Sequence, residues 1–175
     1  AKYGDRMSSV LDITYARPQK AEASVQASLL GANIYAGLGN RKISLSQGLR
    51  YKTNQYMLGS LETKGEYSPS FLDYQAYLSW TPSEKWTFDL IGYISKNDYN
   101  FKPKDRETNF GTLEDVKSFK VYFDGKEEDL FRTLYGTFKI TRKWERKHAL
   151  SLSASAFNTK ERETYDIQGQ YWLNE

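Results

Sequence analysis

The sequence contains no cysteine and, among its 175 residues, a single histidine. The absence of cysteine excludes a disulfide scaffold and a thiolate-ligated metal site. No run approaches the roughly 18 consecutive apolar residues that a membrane-spanning helix needs. A membrane-spanning β-barrel remains possible, because its strands need only alternate apolar and polar residues.

Neither sign of charge predominates, because 25 Lys and Arg residues are interleaved with 22 Asp and Glu residues and the net charge is only +3. So small an excess predicts no nucleic-acid partner. His148 lies beside Arg146 and Lys147, which favours a surface residue over a metal ligand. The sequence shows no acid–base pair, nucleophile constellation or metal cluster, so we predict a protein that is not an enzyme, with no catalytic, cofactor-binding or metal-ligating residues and no cofactor.

Aromatic residues are abundant instead. They make up 15% of the chain, with 14 Tyr, although the mean hydropathy is −0.73. Disordered chains usually lack aromatic residues. Many aromatics in a polar chain are typical of β-strands whose apolar residues alternate with polar ones.

Alternation is clearest on both sides of the sequence WTPSEKW, residues 80–86. In residues 72–80 and 86–94 the even positions are almost all apolar and the odd positions mostly polar. Because side chains alternate along a strand, each run has one apolar and one mixed face. With Thr81 to Lys85 as a turn, Trp80 and Trp86 fall on the same face at the same end of a hairpin.

Other runs of the same kind predict an all-β protein of six strands and a weaker seventh, with no convincing helix. The apolar positions change from odd to even between residues 21–29 and 34–38, which predicts a bulge near Leu30 and Gly31 within one long strand. The remaining runs are residues 43–49, 134–140, 150–156 and, more weakly, 163–173.

The connectors alternate between short and long. Those at residues 39–41, 81–85 and 142–147 are short, whereas residues 53–70 and 100–129 are long and charged. We predict loops there, with Asp124-Gly125 as a turn, although a strand over residues 116–123 would allow a small closed barrel. Short turns at one rim and long loops at the other are typical of outer-membrane barrels.

The strands of a soluble β-sandwich would also alternate apolar and polar residues, so the chemistry of the two faces has to distinguish it from a membrane barrel. One face carries Ser, Thr, Gln and charged residues, as a wet lumen would, which favours a membrane barrel. We predict an aromatic girdle at the membrane interface, formed by Trp80, Trp86 and Trp144. The residues predicted to face lipid are Leu72, Leu78, Phe88, Leu90, Ile94, Leu134, Phe138, Leu150 and Leu152.

The first residues, AKYGDRMSSVLDI, lack an initiator Met, a basic region and an apolar region, so we expect a processed chain or part of a longer one. They resemble the last segment of the plug domain of TonB-dependent outer-membrane receptors, in which a Tyr-Gly pair, here Tyr3-Gly4, precedes a strand leading into the barrel. Ser8-Ser9-Val10 stands where that family usually has small residues and Gly.

Residues 121–129, VYFDGKEED, and 161–167, ERETYDI, resemble the large receptors of this family from Bacteroidetes-type bacteria. The resemblance implies that residues 1–16 end the plug domain, residues 17–20 form a link, and residues 21–175 begin an antiparallel membrane β-barrel of probably 22 strands with a plugged lumen. It covers essentially the whole chain.

The function that this resemblance implies is active nutrient uptake across the outer membrane of a Gram-negative bacterium. The implied partners are outer-membrane lipid, an inner-membrane TonB complex acting on the plug, and a surface lipoprotein or other outer-membrane subunits. The alternatives are a small self-contained outer-membrane barrel acting as an adhesin or structural protein, and a soluble ligand-binding β-sandwich.

Overall fold

The chain folds into one antiparallel β-sheet of nine strands, which confirms the all-β prediction. The computed structural model describes residues 13–59, 65–112, 116–144 and 148–174. The elements are β1 (Glu22–Ser28), β2 (Gly31–Gly39), β3 (Ile43–Thr53), α1 (Gln55–Gly59), β4 (Gly65–Tyr67), β5 (Ser70–Ser83), β6 (Trp86–Pro103), β7 (Arg106–Gly111), β8 (Val116–Trp144) and β9 (His148–Asn174).

Neighbouring strands follow the chain in an up-and-down order. The sheet runs β1-β2-β3-β5-β6-β8, and β9 lies along the other edge of β8. β4 pairs with the end of β6, and β7 pairs with the first residues of β8. Within the described residues β1 and β9 are each paired on one side, so these strands form an open sheet.

The predicted bulge at Leu30-Gly31 is wrong, because β1 and β2 form a hairpin at this point. Ser28 pairs with Gly31 across a turn of only two residues, Leu29 and Leu30. The Ser28 hydroxyl accepts the Leu30 amide at 3.2 Å, and Gly31 has a φ of 140°. Partners in this hairpin have residue numbers of opposite parity, as in Val25 with Ile34, so the apolar face continues without a bulge.

The predicted long loop over residues 100–129 is mostly strand. β6 continues to Pro103, β7 forms a short strand, and β8 begins at Val116, so the segment 116–123 belongs to β8. Residues 163–173 continue β9 and are not a separate strand. Asp124-Gly125 lies inside β8, paired with Gln168 and Ile167, so it is not a turn.

The other predicted loop, residues 53–70, contains the helix α1 and the strand β4. The sequence showed no sign of this helix, which has five residues and begins beside the Thr53 hydroxyl that accepts the Gln55 amide at 3.3 Å. No helix in the described part of the chain has the length and apolarity to cross a membrane.

The three short connectors lie at the same end of the sheet. Asn40 forms the first, with its side-chain oxygen accepting the amides of Lys42 and Ile43 at 2.8 and 3.0 Å. Ser83 pairs with Trp86 in the second. In the third, Trp144 pairs with His148 around residues that lie outside the described part. The three connectors predicted to be short therefore share one rim of the sheet. The two-residue turn at Leu29 and Leu30 lies at the opposite rim, so the prediction that short turns are confined to one rim is wrong.

Burial is inverted relative to a water-soluble domain. The buried side chains among the described residues include one large apolar group, Tyr77, and several polar ones: Asp73, Ser79, Ser44, Ser95 and Ser46. All of these lie on one side of the sheet, which we call the polar face. The opposite side, which we call the apolar face, carries the even-numbered residues of β5, β6, β8 and β9 and is mostly exposed.

Candidate functional site

The register of the strands places all nine residues predicted to face lipid on the apolar face. Leu78 pairs with Leu90, Leu90 with Phe138, and Ile94 with Leu134. These side chains are uncovered: Leu90 is 48% exposed and Leu134 is 57% exposed. β1, β2 and β3 extend the same face with Val25, Ile34, Leu45 and Leu49. A continuous apolar surface therefore crosses every long strand.

The three predicted girdle tryptophans lie together at the end of this face near the short turns. Trp80 stacks on Phe88 with ring centroids 5.2 Å apart, and Trp86 lies 6.0 Å from the same ring. The Arg142 guanidinium lies 5.0 Å from the Trp86 ring and 4.7 Å from the Trp144 ring. Aromatic rings with a cation between them are typical of a boundary between apolar and aqueous surroundings.

Charged residues mark the end of the apolar face that lies farthest from the short turns. Lys96 follows Ile94 on β6, and it pairs with Arg132, which in turn pairs with Lys160. From Trp86 to Lys96 the strand rises by about 33 Å, at roughly 3.3 Å per residue. For a strand tilted by about 40° this corresponds to about 25 Å, the height of the apolar band of an outer-membrane barrel.

The polar face binds the segment that precedes β1, residues 13–20, which we call the anchor segment. Arg17 donates to the Tyr77 hydroxyl and to an Asp89 oxygen, each at 3.0 Å. Tyr77 itself donates to Asp89 at 2.7 Å. Tyr15 stacks on Tyr77 with centroids 5.0 Å apart, and its hydroxyl donates to Gln75. The anchor segment is therefore held by side chains of β5 and β6.

Other charges on the polar face are paired within the sheet. Arg50 of β3 donates to Asp73 of β5 at 2.7 Å, and the Asp73 side chain is only 2% exposed. Glu22 accepts the Tyr35 hydroxyl at 2.7 Å. These charged side chains are therefore held by partners within the sheet.

Beyond the charged end of the apolar face, β7 and the distal halves of β8 and β9 form a three-stranded ladder, the strand extension. Asp105 caps it by accepting the Phe123 amide at 2.8 Å. Ser118 and Lys120 both bond to Glu107, which lowers the pKa of that carboxyl. Asp129 lies directly opposite Glu163, and its charge raises the pKa of Glu163, with a further contribution from Glu161.

The acidic residues after Gly125 do not converge. Asp124 and Glu128 point to one side of β8, and Glu127 and Asp129 to the other, because strand side chains alternate. Within the described residues no group of three or more His, Cys, Asp or Glu is placed to hold a metal ion.

Sequence reasoning missed three contacts of these faces: the Arg17–Asp89 pair, the Arg142 bridge and the row from Lys96 to Lys160. All three join distant parts of the chain, such as Arg17 and Asp89. Only the strand register brings them together, and the sequence does not give that register. Comparison with protein-family models, with curated proteins and with solved structures gives no match to this chain.

Proposed function

We propose that this chain is a section of the wall of a membrane-spanning β-barrel, and that the whole protein is a TonB-dependent outer-membrane receptor for nutrient uptake. The observation that carries the proposal is the inverted sheet. Its apolar face is continuous and exposed, while its polar face buries Asp73 and Tyr77, which donates to Asp89. A sheet between lipid and a wet lumen has this distribution.

The anchor segment supports the receptor over a small empty barrel. In the proposed protein, residues 13–20 lead from the plug into the first strand, and they already lie on the face that would line the lumen. A plug held in this way closes a lumen that would otherwise leak, until the inner-membrane TonB complex pulls on it. The ligand would then enter past the rim that carries the strand extension, where a surface lipoprotein could dock.

The experiment places one arginine on each face of the full-length protein. Leu90→Arg lies near the middle of the apolar face and should weaken membrane assembly by about 2–4 kcal/mol. Ser153→Arg, on the polar face of β9, is the matched control and should assemble nearly as well as the wild type. Assembly is measured as the fraction that migrates as a folded barrel without heating.

Three outcomes decide between the candidate functions. Equal losses for the two variants would remove the facial assignment. A wild-type protein that is soluble without detergent would favour the β-sandwich. A reading frame that encodes no plug-sized domain upstream and no further alternating strands downstream would favour a small barrel acting as an adhesin or structural protein.

A further inference from the structure

The charged end of the apolar face carries an unusual concentration of cations. Lys96, Arg132 and Lys160 are direct cross-strand partners on β6, β8 and β9, and Arg162 follows Lys160 on the same face. Like charges directly opposite on neighbouring strands destabilise a sheet. A row of three such residues therefore calls for an anion that is present in the working protein.

The described part of the chain does not supply enough carboxylates to neutralise this row of cations. Lys96 forms an ion pair with Asp98 at 2.7 Å, and Glu128 on the same face is already bonded to Lys126 at 2.6 Å. Arg132, Lys160 and Arg162 are exposed and form no ion pair with a described carboxylate. Four cations thus share one carboxylate.

The row is also local. Along the same level of the sheet the partner of Lys96 on β5 is Leu72, and that of Leu72 on β3 is Tyr51. The cations cluster around a shallow groove lined by Leu130, Arg132, Lys160, Glu161 and Arg162. Glu161 belongs to the opposite face, because it pairs with Phe131. One apolar lining residue, Leu130, beside three cations matches an anionic group attached to an apolar chain.

We infer that Arg132, Lys160 and Arg162, together with Lys96, bind the phosphate of a membrane-lipid headgroup whose acyl chains lie against the apolar face below them. This inference rests on the proposed function, since it requires that face to contact lipid. Guanidinium groups bind phosphate oxygens in pairs, and lysine adds a point charge. The lipid would neutralise the row and fix the depth of β6, β8 and β9 in the membrane.

The test compares two double variants of the full-length protein, each with two positive charges fewer than the wild type. Arg132→Gln/Lys160→Gln removes cations from the apolar face. Lys139→Gln/Lys143→Gln removes two exposed lysines of β8 from the polar side. Native mass spectrometry measures binding of phosphatidylglycerol and of phosphatidylcholine in mixed micelles.

We expect phosphatidylglycerol binding to fall about fivefold for each cation removed from the groove, since a basic residue near an anionic lipid surface contributes about 1 kcal/mol. Phosphatidylcholine binding should not change, and the Lys139→Gln/Lys143→Gln protein should match the wild type. If the first double variant fails to assemble, Lys160→Gln alone is measured, with an expected loss of about fivefold.

Equal phosphatidylglycerol binding by both double variants would overturn the inference, as would complete displacement of the lipid by inorganic phosphate at the same concentration. Either result, in a protein that still assembles in membranes, leaves the proposed function in place. A wild-type protein that stays in solution without detergent would remove both.

Discussion

Single side chains explain how the anchor segment is held. Asp89 accepts from both Arg17 and Tyr77 and is 12% exposed, so it is the group on which the other two depend. Hydrogen bonds to charged groups contribute about 1.5–3 kcal/mol, and solvent screening of the half-exposed Arg17 reduces this to about 1 kcal/mol.

Asp89→Asn should therefore release the anchor segment without disrupting the sheet. Backbone amides of residues 13–20 should exchange with deuterium about fivefold faster, which corresponds to about 1 kcal/mol of lost protection. Asp73→Asn is the control, because Asp73 pairs with Arg50 and not with the anchor segment. Equal acceleration in both variants would show that Asp89 acts through general stability.

Two carboxylates of the strand extension have pKa values that are shifted in opposite directions. The raised pKa of Glu163 means that the folded protein holds its proton more tightly, so its contribution to stability is lost as the pH rises through that pKa. The lowered pKa of Glu107 has the opposite sign: its stabilisation is present above the usual value of 4.5 and is lost as the pH falls.

At neutral pH, Glu163→Gln should therefore slow hydrogen exchange in the distal halves of β8 and β9, and Glu107→Gln should speed exchange in β7. Each comparison is made with the wild type at the same pH, which cancels the intrinsic pH dependence of exchange. The Glu163 difference should shrink as the pH falls through the raised pKa of that carboxyl, whereas the Glu107 difference should persist to lower pH, because the pKa of Glu107 is lowered. A Glu163→Gln protein that exchanges faster at neutral pH would contradict the charge assignment.

At the scale of elements, β8 and β9 depend on one glycine. Gly125 has a φ of 92°, and a Cβ built there would lie 1.6 Å from the carbonyl oxygen of Asp166 on β9. A side chain at this position both strains the backbone and displaces the partner strand.

Gly125→Ala should destabilise the strand extension by about 1–3 kcal/mol. Gly136→Ala is the matched control in the same strand, since a Cβ there would meet only the Ile91 carbonyl oxygen, at 3.8 Å. Hydrogen exchange of residues 163–174 measures the difference. Similar protection in the two variants would mean that β8 bends to accept alanine.

The elements also show which features the sequence could predict. The sequence predicts the strands within residues 72–94 correctly, because one face is apolar and the other polar, so the period of two is visible. The sequence predicts a loop over most of the strand extension, because charged residues at 126–129 and 161–163 interrupt the alternation, although residues 116–123 retain part of it. The turn at Leu29 and Leu30 was missed because both residues are apolar, whereas tight turns usually contain Gly, Asn or Asp.

The candidate site likewise has residues that the sequence could assign and contacts that it could not. The tryptophans and the leucines of the apolar face could be assigned, because each depends only on the parity of its own strand. The contacts of Arg17 with Asp89 and of Lys96 with Arg132 could not, because they depend on register between strands far apart in the chain.

At the scale of the whole molecule, the proposal requires β9 to have a second neighbour. In the described residues β9 pairs with β8 alone, although residues 150–158 carry part of the apolar face. Unpaired backbone amides and carbonyls do not occur in contact with hydrocarbon, since each would cost several kcal/mol. A barrel solves this by pairing every strand on both sides.

In the assembled full-length protein, the amides of residues 150–158 that point away from β8 should be as protected from hydrogen exchange as those that bond to it. Residue-resolved exchange in detergent micelles measures both sets, and the alternating amides within the same strand control for depth and burial. Protection on the β8 side alone, in a protein that is otherwise folded, would mean that β9 is an exposed edge. The sheet would then end there, and a closed barrel wall could not contain it.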